Sequence, residues 1–260
     1  MKFMILGLAP RSEWPALSAD QQHQRIREHQ REIAALVAKR GTSGNGALVL
    51  SVGLQTAMQS SAVRNQGGRH VSVDGPFAET KEVLGGFEIV EFDSDEDAAN
   101  YAKALANHEG QAYEIRPVVD FWWIQHSTAL PAQVFMISMF EDEKASARRS
   151  RAERETLINE HESVANEYLA ARGTIGDRPA LWAGSRLDWS RTAKTVRIAA
   201  GNRTLTDGPF AETKELLGGV TLLACDSSDE ARNYACKLAR CEGDIASVTP
   251  IGSFWWIYHG

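Results

Sequence analysis

Cysteine is scarce in this 260-residue sequence, and its three copies, Cys225, Cys236 and Cys241, all lie in the second half. An odd number confined to one half argues against a disulfide framework shared by both halves. The expected state is a set of free thiols in a reducing cytoplasm. No apolar run is long enough for a membrane-spanning helix. We therefore predict a cytoplasmic protein with no membrane contact.

Metal-binding and cofactor-binding motifs are lacking as well. The seven histidines are scattered, with no short-spaced His/Cys cluster of the kind that holds zinc. The sequence has neither a glycine-rich phosphate loop in a strand–loop–helix setting nor a Gly-x-Ser-x-Gly nucleophile elbow. We expect no metal and no organic cofactor.

Positive charge is in deficit, because 28 Lys and Arg residues face 34 Asp and Glu residues, for a net charge of −6. A protein that binds nucleic acid through its phosphates carries a basic patch, and neither half of this sequence is basic. Nucleic acid is therefore not an expected partner. The expected ligand is a small molecule of unknown identity.

A long internal repeat organises the chain. Residues 74–86 read Asp-Gly-Pro-Phe-Ala-Glu-Thr-Lys-Glu-Val-Leu-Gly-Gly, and residues 207–219 repeat them with a single change of Val83 to Leu216. Shorter matches at a spacing of 132 or 133 residues extend over both halves, which predicts two copies of one folding unit. The predicted domains cover residues 1–125 and 133–260, with a linker over residues 126–132.

The order of predicted elements within one copy is strand, helix, two strands, helix, strand. In the first copy these six elements cover residues 1–8, 18–40, 47–55, 87–92, 94–107 and 113–119, and residues 62–74 form a further extended stretch with a turn at Gly67-Gly68. This βαββαβ order is typical of a ferredoxin-like α+β unit, whose helices cover only one face of the sheet. The second copy can cover the other face, which predicts an internal pseudo-dimer.

The repeated motif resembles that of the DGPF family, part of the YCII-related group. The resemblance covers nearly the whole chain twice and includes the opening strand, a helix with the pattern Ile-x-x-His, and the strand end Arg116-Pro117-Val118. It implies a dimeric α/β-barrel in which two ferredoxin-like sheets pack face to face. It also implies a His–Asp pair as the active site and association with an extracytoplasmic-function sigma factor. Some relatives carry out dehalogenation or lyase-type chemistry on hydroxylated aromatic rings.

His29 and His161 are the candidate acid–base residues. His29 lies three residues after Ile26 and four before Ile33, so all three share the helical face expected to lie against the sheet. His161 repeats this arrangement in the second copy. An inward imidazole with an ordinary pKa near neutrality is suited to general acid–base catalysis. The alternative is a core histidine that is hydrogen-bonded to the backbone.

Asp74 and Asp207 open the two motifs. In the catalytic interpretation each carboxylate orients the imidazole of its own copy, so that His29 pairs with Asp74 and His161 with Asp207. In the structural interpretation Asp-Gly-Pro forms a turn, and the aspartate side chain bonds to nearby backbone amides. The sequence leaves both interpretations open.

Lys81, Lys214 and Arg116 are weaker candidates for substrate binding. The two lysines belong to charged segments that are favoured to be a solvated loop or helical turn, and the alternative is a lid that presents Lys81 to an anion. The second copy has Thr249 where the first has Arg116, so the two sites are expected to be unequal.

Two functional hypotheses follow. The first is a small-molecule enzyme that uses His–Asp acid–base chemistry of the lyase, dehalogenase or isomerase type. The second is a non-catalytic ligand-sensing or interaction module that partners a sigma factor. An enzyme requires an imidazole that is open to a pocket and within hydrogen-bond reach of its carboxylate. Further assembly of the pseudo-dimer into a homodimer is left open.

Overall fold

A computed structural model describes most of the chain, namely residues 1–39, 48–55, 60–74, 82–109, 111–123, 133–175, 178–179, 181–199, 202–210, 215–239 and 245–255. The strands are β1 (Lys2–Pro10), β2 (Leu48–Leu54), β3 (Ser61–Gln66), β4 (Arg69–Asp74), β5 (Glu82–Glu91), β6 (Ala112–Trp123), β7 (Val134–Asp142), β8 (Thr174–Ile175), β9 (Arg178–Pro179), β10 (Leu181–Leu187), β11 (Lys194–Ala199), β12 (Asn202–Asp207), β13 (Glu215–Ala224) and β14 (Ile245–Trp255). The helices are α1 (Glu13–Ala16), α2 (Ala19–Lys39), α3 (Asp95–Glu109), α4 (Glu143–Arg148), α5 (Arg151–Arg172) and α6 (Ser228–Leu238).

Eight antiparallel strands close into a barrel in the order β1-β5-β2-β14-β7-β13-β10-β6, with β6 paired back to β1. The first copy supplies β1, β2, β5 and β6, and the second supplies the other four strands. The predicted α+β class, with two tandem units in one barrel, is confirmed. Within the described residues, no helix is long and apolar enough to cross a membrane.

Alternation along the strands separates the barrel interior from the layer beneath the helices. On β5, Phe87 and Ile89 belong to the interior core, whereas Val90 packs with the helices outside the barrel. Ile33 of α2 is fully buried in that outer layer. Because successive side chains of a strand point to opposite faces, Glu88 also lies on the helix side of β5. This position puts a carboxylate between the sheet and α2.

The two copies exchange a hairpin. The β3–β4 hairpin of the first copy pairs with β14 of the second, and the β11–β12 hairpin of the second copy pairs with β6 of the first. Each barrel sheet is thereby extended by two strands from the other half of the chain. Because each hairpin ends in its motif aspartate, the exchange also carries Asp74 and Asp207 to the opposite copy.

The second glycine of the repeated Gly-Gly pair, Gly86 or Gly219, is explained by a close backbone contact. A Cβ atom added to Gly86 would overlap the carbonyl oxygen of Val52, and one added to Gly219 would overlap that of Ser185. The same close approach of neighbouring strands occurs in both copies, which accounts for glycine at both positions.

Candidate functional site

His29 contacts a buried carboxylate on the strand beneath it. Its Nε2 atom lies 3.0 Å from Oε1 of Glu88, whose side chain is only 3% exposed. Tyr101 of α3 donates a 2.5 Å hydrogen bond to Oε2 of the same carboxylate. Oε1 is buried, and no hydrogen bond of aligned geometry reaches it from the described residues, so its contact with His29 is an ion pair when the imidazole is protonated. His29, Glu88 and Tyr101 thus form a chain that links α2, β5 and α3.

The imidazole of His29 and the carboxylate of Glu88 line a cavity of about 770 Å³ beside α2. Its floor is a row of residues on adjacent strands, in which Gly7 lies opposite Gly86, and Gly86 lies opposite Gly53. Because the three glycines have no side chains, they leave space above the centre of the floor. Tyr113 and Ser253 continue the row on either side. Because Ser253 belongs to β14, the second copy contributes to this wall of the first copy's cavity.

The second copy replaces the residues that shape this cavity. Thr221 stands where the first copy has Glu88, and Ala246 stands where it has Tyr113. In the corresponding row of the second sheet, Met139 and Arg186 flank Gly219, so two of the three glycines have become large side chains. These substitutions remove the carboxylate and put side chains over the floor.

His161 has a different environment from His29. Its Nε2 atom lies 3.2 Å from the backbone carbonyl oxygen of Leu238. That contact is the one expected of a core histidine bonded to the backbone. The expected inequality of the two sites therefore extends to the histidines themselves.

The motif aspartates lie apart from this constellation. In the first sheet, successive cross-strand pairs connect Glu88 to Ile5, Ile115, Lys194 and finally Asp207. Glu88 and Asp207 are therefore separated by four strand spacings, a distance of about 19 Å along the sheet. Asp207 is exposed and forms an ion pair with Lys194 at 3.0 Å.

Asp74 is exposed at the end of β4, on the edge of the second sheet, and Ser61 lies opposite it. The structure thus brings His29 together with Glu88 and brings neither aspartate into this constellation. Catalysis by the two aspartates stays a prediction, and the described contacts do not support it.

Arg116 is buried and bonded within the protein. Its guanidinium donates to Glu114 Oε1 through Nε at 3.0 Å and through Nη2 at 2.5 Å, and Nη1 donates to the carbonyl oxygens of Asp188 and Leu217 at 3.1 Å. The anion that Arg116 binds is therefore Glu114, and Arg116 joins the two halves. Lys81 and Lys214, the other predicted substrate-binding residues, lie outside the described residues.

Glu88 and Tyr101 are the site residues that sequence reasoning missed. A usable signal was present, because Glu88 is a charged residue inside an apolar strand segment, between Phe87 and Ile89. Its replacement by Thr221 in the second copy marked it as a point of difference. Among the residues that the structure describes, no group of three or more His, Cys, Asp or Glu side chains is arranged to hold a metal ion.

Comparisons with known proteins divide the chain into the same two copies as the internal repeat. The YCII-related domain matches residues 1–122 and again residues 134–254. Among curated proteins, the uncharacterized protein R00369 of Rhizobium meliloti (strain 1021) is 33% identical over 123 residues. The aligned region makes up 46% of this chain and 94% of that relative, which is therefore about as long as one half.

Proposed function

The chain belongs to the YCII-related domain family, and on that premise we propose that it is an enzyme that transfers protons to and from a small molecule at His29. The observation that carries the proposal is the 3.0 Å contact between His29 Nε2 and Glu88 Oε1 at the wall of a cavity of about 770 Å³. A cavity of this volume is typical of small-molecule sites.

In this proposal His29 is the group that exchanges the proton with the substrate. Glu88 positions the imidazole and stabilises the imidazolium that forms, because a buried carboxylate favours a neighbouring positive charge. Tyr101 fixes the carboxylate through its hydrogen bond to Oε2. The supported reaction class is removal of a C–H proton, whose electron pair then expels a leaving group or shifts a double bond. Elimination, dehalogenation and isomerisation all belong to this class.

The proposal assigns one working site to each chain. The second copy has Thr221 in place of the carboxylate, and its His161 contacts a backbone carbonyl. We expect the second copy to act as a scaffold that completes the barrel and contributes Ser253 to the cavity wall.

The test uses 5-nitrobenzisoxazole, a general probe for a base beside a cavity. When a base removes its C–H proton, the electron pair forms a nitrile and the N–O bond breaks, which releases a coloured phenolate. We expect the wild-type protein to accelerate this ring opening, and we expect the rate of H29Q to be at least about 10²-fold lower. The matched control is H161Q, for which we expect the wild-type rate. We expect D74N and D207N to keep the wild-type rate as well.

Thermal melting of each variant separates catalysis from folding. If H29Q melts at the wild-type temperature and still retains the full rate, or if H161Q loses as much as H29Q, the proposed site is wrong. A wild-type protein that opens neither this probe nor a halogenated hydroquinone, assayed by halide release, would favour the non-catalytic sensing or sigma-factor module.

A further inference from the structure

Strand β4 is an exposed sheet edge with apolar side chains. All six of its residues are exposed, and Val71 and Val73 are 41% and 60% exposed. In the described part of the chain β4 pairs only with β3, so no described strand takes the backbone N–H and C=O groups of its other edge. Monomeric proteins usually protect such edges with charges, prolines or bulges, because an open apolar edge pairs with other chains.

The duplicated hairpin provides an internal reference for β4. Its counterpart β12 is also an edge strand, but it carries Thr204 and Thr206 at the positions of Val71 and Val73. On β12 the exposed large apolar side chain is Leu205, at 41%, whereas β4 has two such side chains on one face. This difference singles out β4 as the edge suited to a partner.

We propose that β4 pairs with β4 of a second copy of this chain, as two antiparallel strands related by a two-fold axis at Ser72. In such a ladder each residue faces the one that is equally far from Ser72 on the other strand. Val71 then lies opposite Val73 of the second copy, and the two-fold axis repeats this pair. The four exposed valines become a single apolar cluster across the interface.

On the opposite face of the same ladder, His70 lies opposite Asp74 of the second copy, and the two have opposite charges when the imidazole is protonated. Ser72 lies opposite Ser72. His70 is already held in place, because its Nε2 atom lies 3.0 Å from the carbonyl oxygen of Ala239. Asn65 donates to that carbonyl oxygen at 3.2 Å. The hairpin is thus anchored to α6 and presents a fixed edge, which lowers the entropic cost of pairing.

The first experiment measures mass against concentration by sedimentation equilibrium. We expect the wild-type chain to approach twice 28.6 kDa as its concentration rises. V71K/V73K puts lysines directly opposite one another, which should weaken dimerisation by about tenfold or more. The matched control is T204K/T206K on β12, which should dimerise like the wild type. A wild-type chain that stays at 28.6 kDa at high concentration overturns the proposal, as does equal weakening by both double substitutions.

The second experiment tests the register. S72C puts a thiol on the proposed two-fold axis, within reach of its copy for a short bismaleimide cross-linker. We expect S72C to give a covalent dimer in much higher yield than L205C, the corresponding variant on β12, or the wild type. Equal yields from S72C and L205C would contradict pairing at β4.

Discussion

Phe210 donates its backbone N–H to Oε2 of Glu114 at 2.8 Å, across 96 residues of sequence. This bond joins the motif of the second copy to the last barrel strand of the first. Arg197 reinforces it, because its guanidinium lies 3.8 Å from the centre of the Phe210 ring and also donates to the Phe210 carbonyl oxygen at 2.6 Å. The motif that defines the repeat therefore contributes to holding the exchanged hairpin in place.

The contributions of the buried residues Glu114 and Arg116 to the free energy of unfolding should be strongly coupled. R116T introduces the residue found at Thr249 and leaves Glu114 buried without its cation, so we expect a loss of about 3–5 kcal/mol in the free energy of unfolding. E114S/R116T introduces both residues of the second copy, Ser247 and Thr249, and should cost less than the single change. Urea denaturation of both variants and of E114S completes the cycle. Strictly additive losses would contradict the coupling.

Tyr101 and Tyr234 occupy equivalent positions and should respond differently to loss of the hydroxyl group. Y101F removes the 2.5 Å hydrogen bond to the buried carboxylate of Glu88, which should cost about 1.5–3 kcal/mol of unfolding free energy. Burial raises the pKa of Tyr234, but Thr221 replaces the carboxylate in that copy. We expect Y234F to cost about 1 kcal/mol or less. Chemical denaturation measures both, and equal costs would argue against a special role for the Glu88 contact.

The floor of the cavity can be rebuilt with residues of the second copy. A Cβ atom on Gly7 would lie 3.3 Å from Cε1 of Tyr113, so G7M alone should overpack the site and destabilise the protein by about 1–3 kcal/mol. G7M/Y113A reproduces the combination of Met139 and Ala246 and should recover part of that stability. Both variants should open 5-nitrobenzisoxazole more slowly than the wild type. A full rate in G7M/Y113A would show that the reaction does not use this floor.

Cys225 should react slowly with alkylating reagents while the protein is folded. Burial, together with the smaller effect of the nearby Glu230 carboxylate, raises the pKa of its thiol to about 12. At pH 8 a thiol with that pKa is ionised in only about one molecule in 10⁴, and the thiolate is the reactive form. Iodoacetamide labelling followed by peptide mass spectrometry should find Cys225 protected in buffer and labelled in urea. Labelling at the same rate in both solvents would contradict this prediction.

The predictions from sequence succeeded where the cause was local or repeated. The α+β class and the duplication followed from element order and from a thirteen-residue run written twice, and the barrel followed from the resemblance to the DGPF family. The placement of His29 on the sheet-facing side of its helix followed from its spacing to Ile26 and Ile33. Each of these features depends on periodicity or similarity within a short window, which the residues themselves contain.

The partner of His29 required the tertiary structure. The resemblance to the DGPF family favoured Asp74 as this partner, but the hairpin exchange puts Asp74 on the other sheet, and Glu88 lies beneath the imidazole. In the same way, Arg116 was a predicted substrate-binding residue, and the structure shows that Glu114, two residues away, is its anion. The packing of strands that are distant in sequence decides which half of the chain a hairpin pairs with. No local sequence pattern indicates this choice.

The residues alone determined that this chain is one unit built twice, because each half carries the same helix and strand patterns and the same thirteen-residue motif with its Gly-Gly pair. The sequence also predicts unequal copies, from Arg116 and Thr249, but only the folded chain places the main difference at the cavity floor, because the three glycines of that floor lie on separate strands that become neighbours after the barrel closes. The replacement of two of them by Met139 and Arg186 has its consequence only in three dimensions, where these side chains lie over positions that the first copy leaves open.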